Sequence, residues 1–178
     1  LCWEVRIHSR SGNPDNFDSA GPNQYPAYGL FGTGCLASGQ TKTGECQSNL
    51  KIGPSTNWDY TTDGLYLAAN QAGVVLIGHS DKLYGPISLP LDLTPIGIPG
   101  CSLYTSILLT VGGLTDSAGK LSTQASPLQI PFNPILCGQR VFSQCLALDP
   151  GRTPVALVFT NGCENFFHPN QMPVTRIL

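Results

Sequence analysis

Along the first ten residues, LCWEVRIHSR, polarity alternates, with Trp3, Val5 and Ile7 on one side of an extended chain and Glu4, Arg6 and His8 on the other. A period of two marks a half-buried strand. The next stretch, SGNPDNFDSAGPNQYPAYG, is dense in Pro, Gly, Asn and Asp and has no period, so it reads as a loop or linker running to Gly29. Short apolar or alternating runs then recur between turn signals, around residues 49–52, 65–69, 74–79, 102–110, 121–130, 140–148 and 155–160. Runs at this spacing predict an antiparallel sandwich or barrel. DSAG at 116–119 and DPGRTP at 149–154 have turn chemistry, and each is expected to join antiparallel neighbours. The tail MPVTRIL resumes alternation imperfectly through Val174 and Ile177, as a last edge strand would.

Residues 85–106, GPISLPLDLTPIGIPGCSLYTS, fit no ordinary element. Prolines 86, 90, 95 and 99 remove ladder donors and enforce extended backbone, which argues against a central strand. Leu89, Leu91 and Leu93 alternate with Pro90 and Asp92, as in an edge segment held against a core. Gly97 and Gly100 then permit the turn that delivers Cys101 into CSLYTSILLT, so the run reads as a crossover between strands.

Composition sharpens the fold class. Charged residues make up 11% of the 178 positions, against roughly 25% in typical soluble domains. Strong helix formers are scarce, while 20 glycines and 15 prolines supply turns. The expectation is an all-β chain, a disulfide-braced antiparallel β-sandwich with added N- and C-terminal strands, long enough to bury a real core. Its parts are an N-terminal strand and linker at 1–28, the sandwich module at 29–168 and a C-terminal edge strand at 169–178. A net charge of −2 with no basic cluster argues against nucleic-acid binding, which needs grouped Lys and Arg. The longest apolar runs, such as GVVLIG at 73–78, fall far short of the roughly 20 residues of a membrane helix. The chain opens at Leu1 without a methionine or an apolar leader, consistent with prior removal of a signal peptide.

Seven cysteines, at 2, 35, 46, 101, 137, 145 and 163, contain no C-x-x-C pair and no Cys/His spacing that closes a zinc site. Disulfides are the better reading, and they place the protein outside the cell or at its surface. Three bridges and one leftover thiol allow 105 frameworks, so spacing leaves connectivity open. The local expectation pairs Cys35 with Cys46 and Cys137 with Cys145, leaving Cys101 for Cys163. Cys2, on the terminal strand, is the simplest odd one out, as a free thiol or as a bond to another chain.

Three segments together resemble a known family. YGLFGTGC at 28–35, PISLPLDLTPIGIPGCSLYTS, and IPFNPILCGQRVFSQCLALDPGRTPVALVFTNG at 130–162 are similar to a β-rich domain that recurs in secreted proteins of planctomycetes and some myxobacteria. That domain opens with YG…GC, carries LPLDLxxxGxPGC centrally and ends in IPNxPxLxGxxFxxQxxxLDPGxxPxxLxxSNG. The similarity covers residues 28–167. It implies a secreted β-sandwich and supplies no activity and no catalytic residue. It also implies a different bridge, Cys35–Cys101, because those two positions recur in its motifs. The chain departs from the pattern at Cys137, Cys145 and Cys163, where small or apolar residues are more usual, and in its terminal additions.

Candidate chemistry is sparse. In GHSDKLYG, Ser80 sits between His79 and Asp81, but neighbours on a strand point to opposite faces and cannot assemble a triad. Lys82 also stands where a nucleophile elbow needs its second glycine. Asp15 and Asp18, in the Asn-rich loop, are weak calcium candidates, with Asx-turns as the ordinary use of such residues. Acids such as Asp59, Asp63 and Asp92 are too scattered to pair from sequence. Trp58 and Tyr60 in NWDYTTDGLY share one face of an extended segment and are candidate glycan contacts if exposed. No catalytic residue and no cofactor are expected. The functional expectation is a non-enzymatic extracellular structural protein, a self-assembling filament, sheath or matrix subunit, in which Trp3, Val5 and Ile7 add a terminal strand to another copy. The alternative is a carbohydrate-binding or adhesion module with a polysaccharide partner.

Overall fold

The computed structural model describes residues 28–52, 57–131, 133–136 and 138–167. The terminal segment with Cys2, Trp3, Val5 and Ile7, the loop bearing Asp15 and Asp18, Cys137, and the tail at 169–178 lie outside the described residues.

The protein is all-β, with thirteen strands among the described residues: β1 (Tyr28–Phe31), β2 (Glu45–Ile52), β3 (Trp58–Leu65), β4 (Ala72–Gly78), β5 (Leu83–Tyr84), β6 (Ile87–Ser88), β7 (Leu91–Asp92), β8 (Ser102–Leu103), β9 (Leu109–Leu114), β10 (Leu121–Ser122), β11 (Leu128–Ile130), β12 (Arg140–Leu148) and β13 (Leu157–Phe166). Five form one antiparallel sheet in the order β1-β13-β12-β4-β9. In the second sheet β3 is central, with β2 along its whole length on one side and the short β10 and β11 in succession on the other. No strand pair in either sheet is parallel.

The two sheets meet through alternate positions. On β12, Ser143 and Cys145 face the second sheet: Tyr60 Oη donates to Ser143 Oγ at 2.9 Å, and Cys145 lies over Gly64 of β3. From β2, Cys46, Ser48 and Leu50 point inward while Gln47 and Asn49 are exposed, a strict alternation. Gln144 faces the other way. It accepts from Tyr104 N at 2.9 Å and donates to the carbonyls of Ser102 at 2.8 Å and Thr160 at 2.7 Å.

That second set of bonds shows what the proline-rich run does. Residues 83–106 cross the outer face of the five-stranded sheet as a third layer, built from the hairpins β5–β6 and β7–β8 and a 3-10 turn at Thr94–Ile96. Leu89, Leu93, Ile98 and Leu103 are buried there and Leu91 is half-buried. β12 is therefore covered on both faces, which is why its sequence shows no clean inside–outside alternation. Gly97 ends the 3-10 turn with φ +88°, a conformation that favours glycine. The layer is fastened by a disulfide between Cys35 and Cys101, with Cα atoms 5.0 Å apart. It is also held by Arg152, which donates to Leu36 O at 2.7 Å and Pro99 O at 2.6 Å.

Several expectations change. The disulfide is the pair implied by the resemblance, so the local pairings Cys35–Cys46 and Cys101–Cys163 do not form. Cys46, Cys145 and Cys163 are instead buried free thiols, which also removes Cys137–Cys145. The run expected at 65–69 belongs to a loop. The strand is β3, which ends where that run begins, at Leu65, and is followed by Tyr66 with φ +58°. The 102–110 and 121–130 runs each split into two short strands. The turn at 149–154 joins antiparallel neighbours as expected, its Asp149 carboxylate accepting from Gly151 N at 3.2 Å and Ser38 N at 2.7 Å. The turn at 116–119 does not. Asp116 organises it by accepting from Ala118 N at 2.8 Å and Lys120 N at 2.9 Å, but it carries the chain from β9 in one sheet to β10 in the other.

Candidate functional site

Three places carry more than packing. The first is the β9 edge. β9 pairs with β4 on one side, and among the described residues no strand pairs with its other side. It is an open row of backbone donors and acceptors, a template for another strand. Around it Leu108 is 74% exposed, Leu114 75% and Leu109 41%. Leu109, Val111 and Gly113 pair with Ile77, Val75 and Gly73, so they lie on the face turned toward the second sheet. The second sheet does not reach that far. A largely apolar groove of about 280 Å³ remains between Val111 and Ile77 of the five-stranded sheet and Tyr60, Thr123, Pro127 and Leu128 on the side of the second.

The second place is the buried centre of the sandwich. Cys46 comes from β2, and Cys145 and Cys163 from β12 and β13, so the thiols meet across the interface between the sheets. Cys46 Sγ lies 3.6 Å from Ser143 Oγ and 3.8 Å from Ser143 O. Its neighbours determine its ionisation. Burial pushes the thiol up, but hydrogen bonds from Cys145, Cys163 and Ser143 outweigh this and bring it down to about 5. The two donors respond in the opposite sense. Cys145 is raised well above the usual thiol range, first by its hydrogen bond to Cys46 and then by burial, and Cys163 is raised by burial and its bond to Cys46. Burial likewise raises the Tyr60 phenol. Among the described residues no group of three or more His, Cys, Asp and Glu could hold a metal ion.

The third place is a shallow open depression lined in part by Thr33, Lys42, Glu45, Tyr66 and Asn161. The Lys42 ammonium stands 5.1 Å from the centre of the Tyr66 ring, and the Asn161 carbonyl is already engaged by Cys46 N at 2.7 Å.

The structure thus joins four residues singled out in the sequence, Tyr60, Cys46, Cys145 and Cys163, in one buried cluster through Ser143, which carried no signal of its own. It disperses the others. Trp58 and Tyr60 do share a face, but they are 2% and 1% exposed, and Trp58 packs edge-on against Phe167 with ring centres 5.6 Å apart. Neither ring can stack on a sugar from that position, which corrects the glycan-contact expectation. Ser80 is a turn residue whose hydroxyl accepts from Lys82 N and Leu83 N at 3.1 Å each. Asp63 meets Lys120 at 2.9 Å, Gln124 Nε2 at 2.6 Å and Ser122 Oγ at 2.5 Å rather than a second acid. The exposed β9 edge was missed because the 102–110 run read as one strand. Comparison with known proteins identifies no relative: no family model, curated protein or solved structure matches the chain.

Proposed function

We propose that the protein is a non-enzymatic extracellular structural subunit that assembles by strand addition, its residues 1–10 pairing with the β9 edge of a second copy. One observation carries the reading: β9 offers an edge that no strand among the described residues pairs with, bordered by exposed Leu108, Leu109 and Leu114, with an apolar groove alongside. A strand laid on such an edge gains backbone hydrogen bonds and sends alternate side chains into the groove. Trp3, Val5 and Ile7 supply the alternation in sequence. The donor segment and the acceptor edge are different surfaces, so the contact is heterologous and propagates into a filament unless its geometry closes a ring. The low charge of the chain limits repulsion between packed subunits, and a disulfide holding the outer layer suits an oxidising compartment. Negative-stain microscopy and sedimentation of the full chain, beside a form lacking residues 1–10, test this. Polymers in the first that vanish in the second are expected. A uniform monomer from the full chain, or equal polymers from both, overturns the proposal.

A further inference from the structure

Three thiols packed against one another at the seam of two sheets form an arrangement that packing alone does not require. Cys46 is fully buried, as are Cys145 and Cys163. Cys46 is the common member, since its sulfur contacts Ser143 of β12 and it stands opposite Gly64 in the β2–β3 register, over which the Cys145 side chain lies. The Cys145 side chain fills the space above Gly64, so near that a Cβ on Gly64 would stand 2.6 Å from the Cys145 Cβ and 3.0 Å from its sulfur. Cys163 stands opposite Ser143 in the β12–β13 register, which puts it beside the same hydroxyl. Any bond made by Cys46 to either neighbour ties β2 to the β12–β13 pair, joining the two sheets where no covalent link among the described residues now does so.

We propose that Cys46 is an oxidation site, taken into an inter-sheet disulfide with Cys145 or Cys163, the remaining thiol serving as an exchange partner. The two-electron acceptor is a disulfide of the glutathione or oxidoreductase class. The Cys46 thiolate attacks that disulfide, displacing one thiolate of the reagent, which takes up a proton, and forming a mixed disulfide at Cys46. Cys145 or Cys163 then loses its proton and attacks the Cys46 sulfur, displacing the second reagent thiolate. Two protein thiols have become one disulfide, and one reagent disulfide has become two thiols. The third cysteine can attack the new bond, moving it between Cys145 and Cys163 with no net oxidation. Because the cluster is buried in the folded protein, the first attack belongs to folding or to local opening of β2.

The test refolds the full chain in a buffer of reduced and oxidised glutathione, blocks free thiols with iodoacetamide under denaturing conditions, and maps linked peptides by mass spectrometry without reduction. Expected are Cys35–Cys101 and a second link from Cys46 to Cys145 or Cys163, with the third of the set alkylated. Cys145→Ala is expected to move the whole second link to Cys46–Cys163, and Cys163→Ala to Cys46–Cys145. Recovery of Cys46 alkylated while Cys35–Cys101 has formed overturns the proposal, as does a link from Cys46 to Cys2 or Cys137. Should one alanine variant fail to refold, the wild-type map and the other variant each decide the question alone.

Discussion

The Tyr60 hydroxyl donates to Ser143 Oγ at 2.9 Å across the interface of the two sheets, with both residues buried. It is a polar tie across the seam, as is the buried bond from Asn165 to Ser48, and it sits against Cys46 through the same serine. Tyr60→Phe keeps the ring and deletes the bond, leaving Ser143 with weaker sulfur contacts. The expected cost is about 1–2 kcal/mol, read as a lower urea midpoint with an unchanged m-value.

The Cys35–Cys101 bond closes a separation of 66 residues and fastens the outer layer to the loop after β1. In the chain-entropy account a loop of this size stabilises by about 4 kcal/mol. Replacing both cysteines with alanine is expected to lower the denaturant midpoint correspondingly. Protease sensitivity within 85–106 should rise as well, because the layer then has no covalent tie and depends on Arg152, Gln144 and its leucines.

Gly64 is a position at which the two sheets approach closely over the thiols. Its added Cβ would also stand 2.9 Å from a methyl of Leu67. Gly64→Ala must push β3 away from β12 or move Cys145 off its position, at an expected cost of about 1–3 kcal/mol. Gly112, with open space at its Cβ, is the control. Gly112→Ala should change stability little, and equal midpoints for the two variants would contradict this account of the seam.

In the form with free thiols, the cluster makes stability depend on pH. The folded Cys46 ionises at about 5, below its ordinary 9.0, so between those values the unfolded chain holds the extra proton and stability rises with pH. Above pH 9 the sign reverses. Cys145 and Cys163 stay protonated in the fold while their unfolded counterparts ionise, so stability falls. Denaturant midpoints measured from pH 4 to 10 should rise through neutral pH to a maximum close to pH 9, and Cys46→Ser should flatten the acid limb.

Assembly, on the proposed reading, depends on the rim of β9 and not on the stability of the subunit. Leu109→Lys with Leu114→Lys places two charges on exposed positions at the open edge. Subunit stability should change by no more than about 0.5 kcal/mol, while polymer yield in sedimentation drops several-fold. Unchanged assembly would remove β9 as the acceptor.

Much of this architecture is legible along the chain. The all-β class follows from turn-rich, helix-poor composition, and the 140–148 run coincides with β12 while 74–79 nearly coincides with β4. Prolines at 86, 90, 95 and 99 correctly exclude a central strand, because each lacks the donor that a ladder needs on both sides. The alternation at Trp58 and Tyr60 also predicts their common face, but a period of two says only that two rings point the same way. Whether that way is water or protein depends on what lies across from β3, and β12 and Phe167 are far off in sequence. The same limit governs the cysteines. Cys46 meets Cys145 and Cys163 only after β2 has been laid over the β12–β13 pair, and Cys101 reaches Cys35 only once the crossover has folded across the outer face. Local preferences specify extended chain, its turns and its shared faces. The choice of which faces are covered, which edge stays open and which sulfurs meet is made by contacts between residues distant in the chain, whose closure only the packed whole repays.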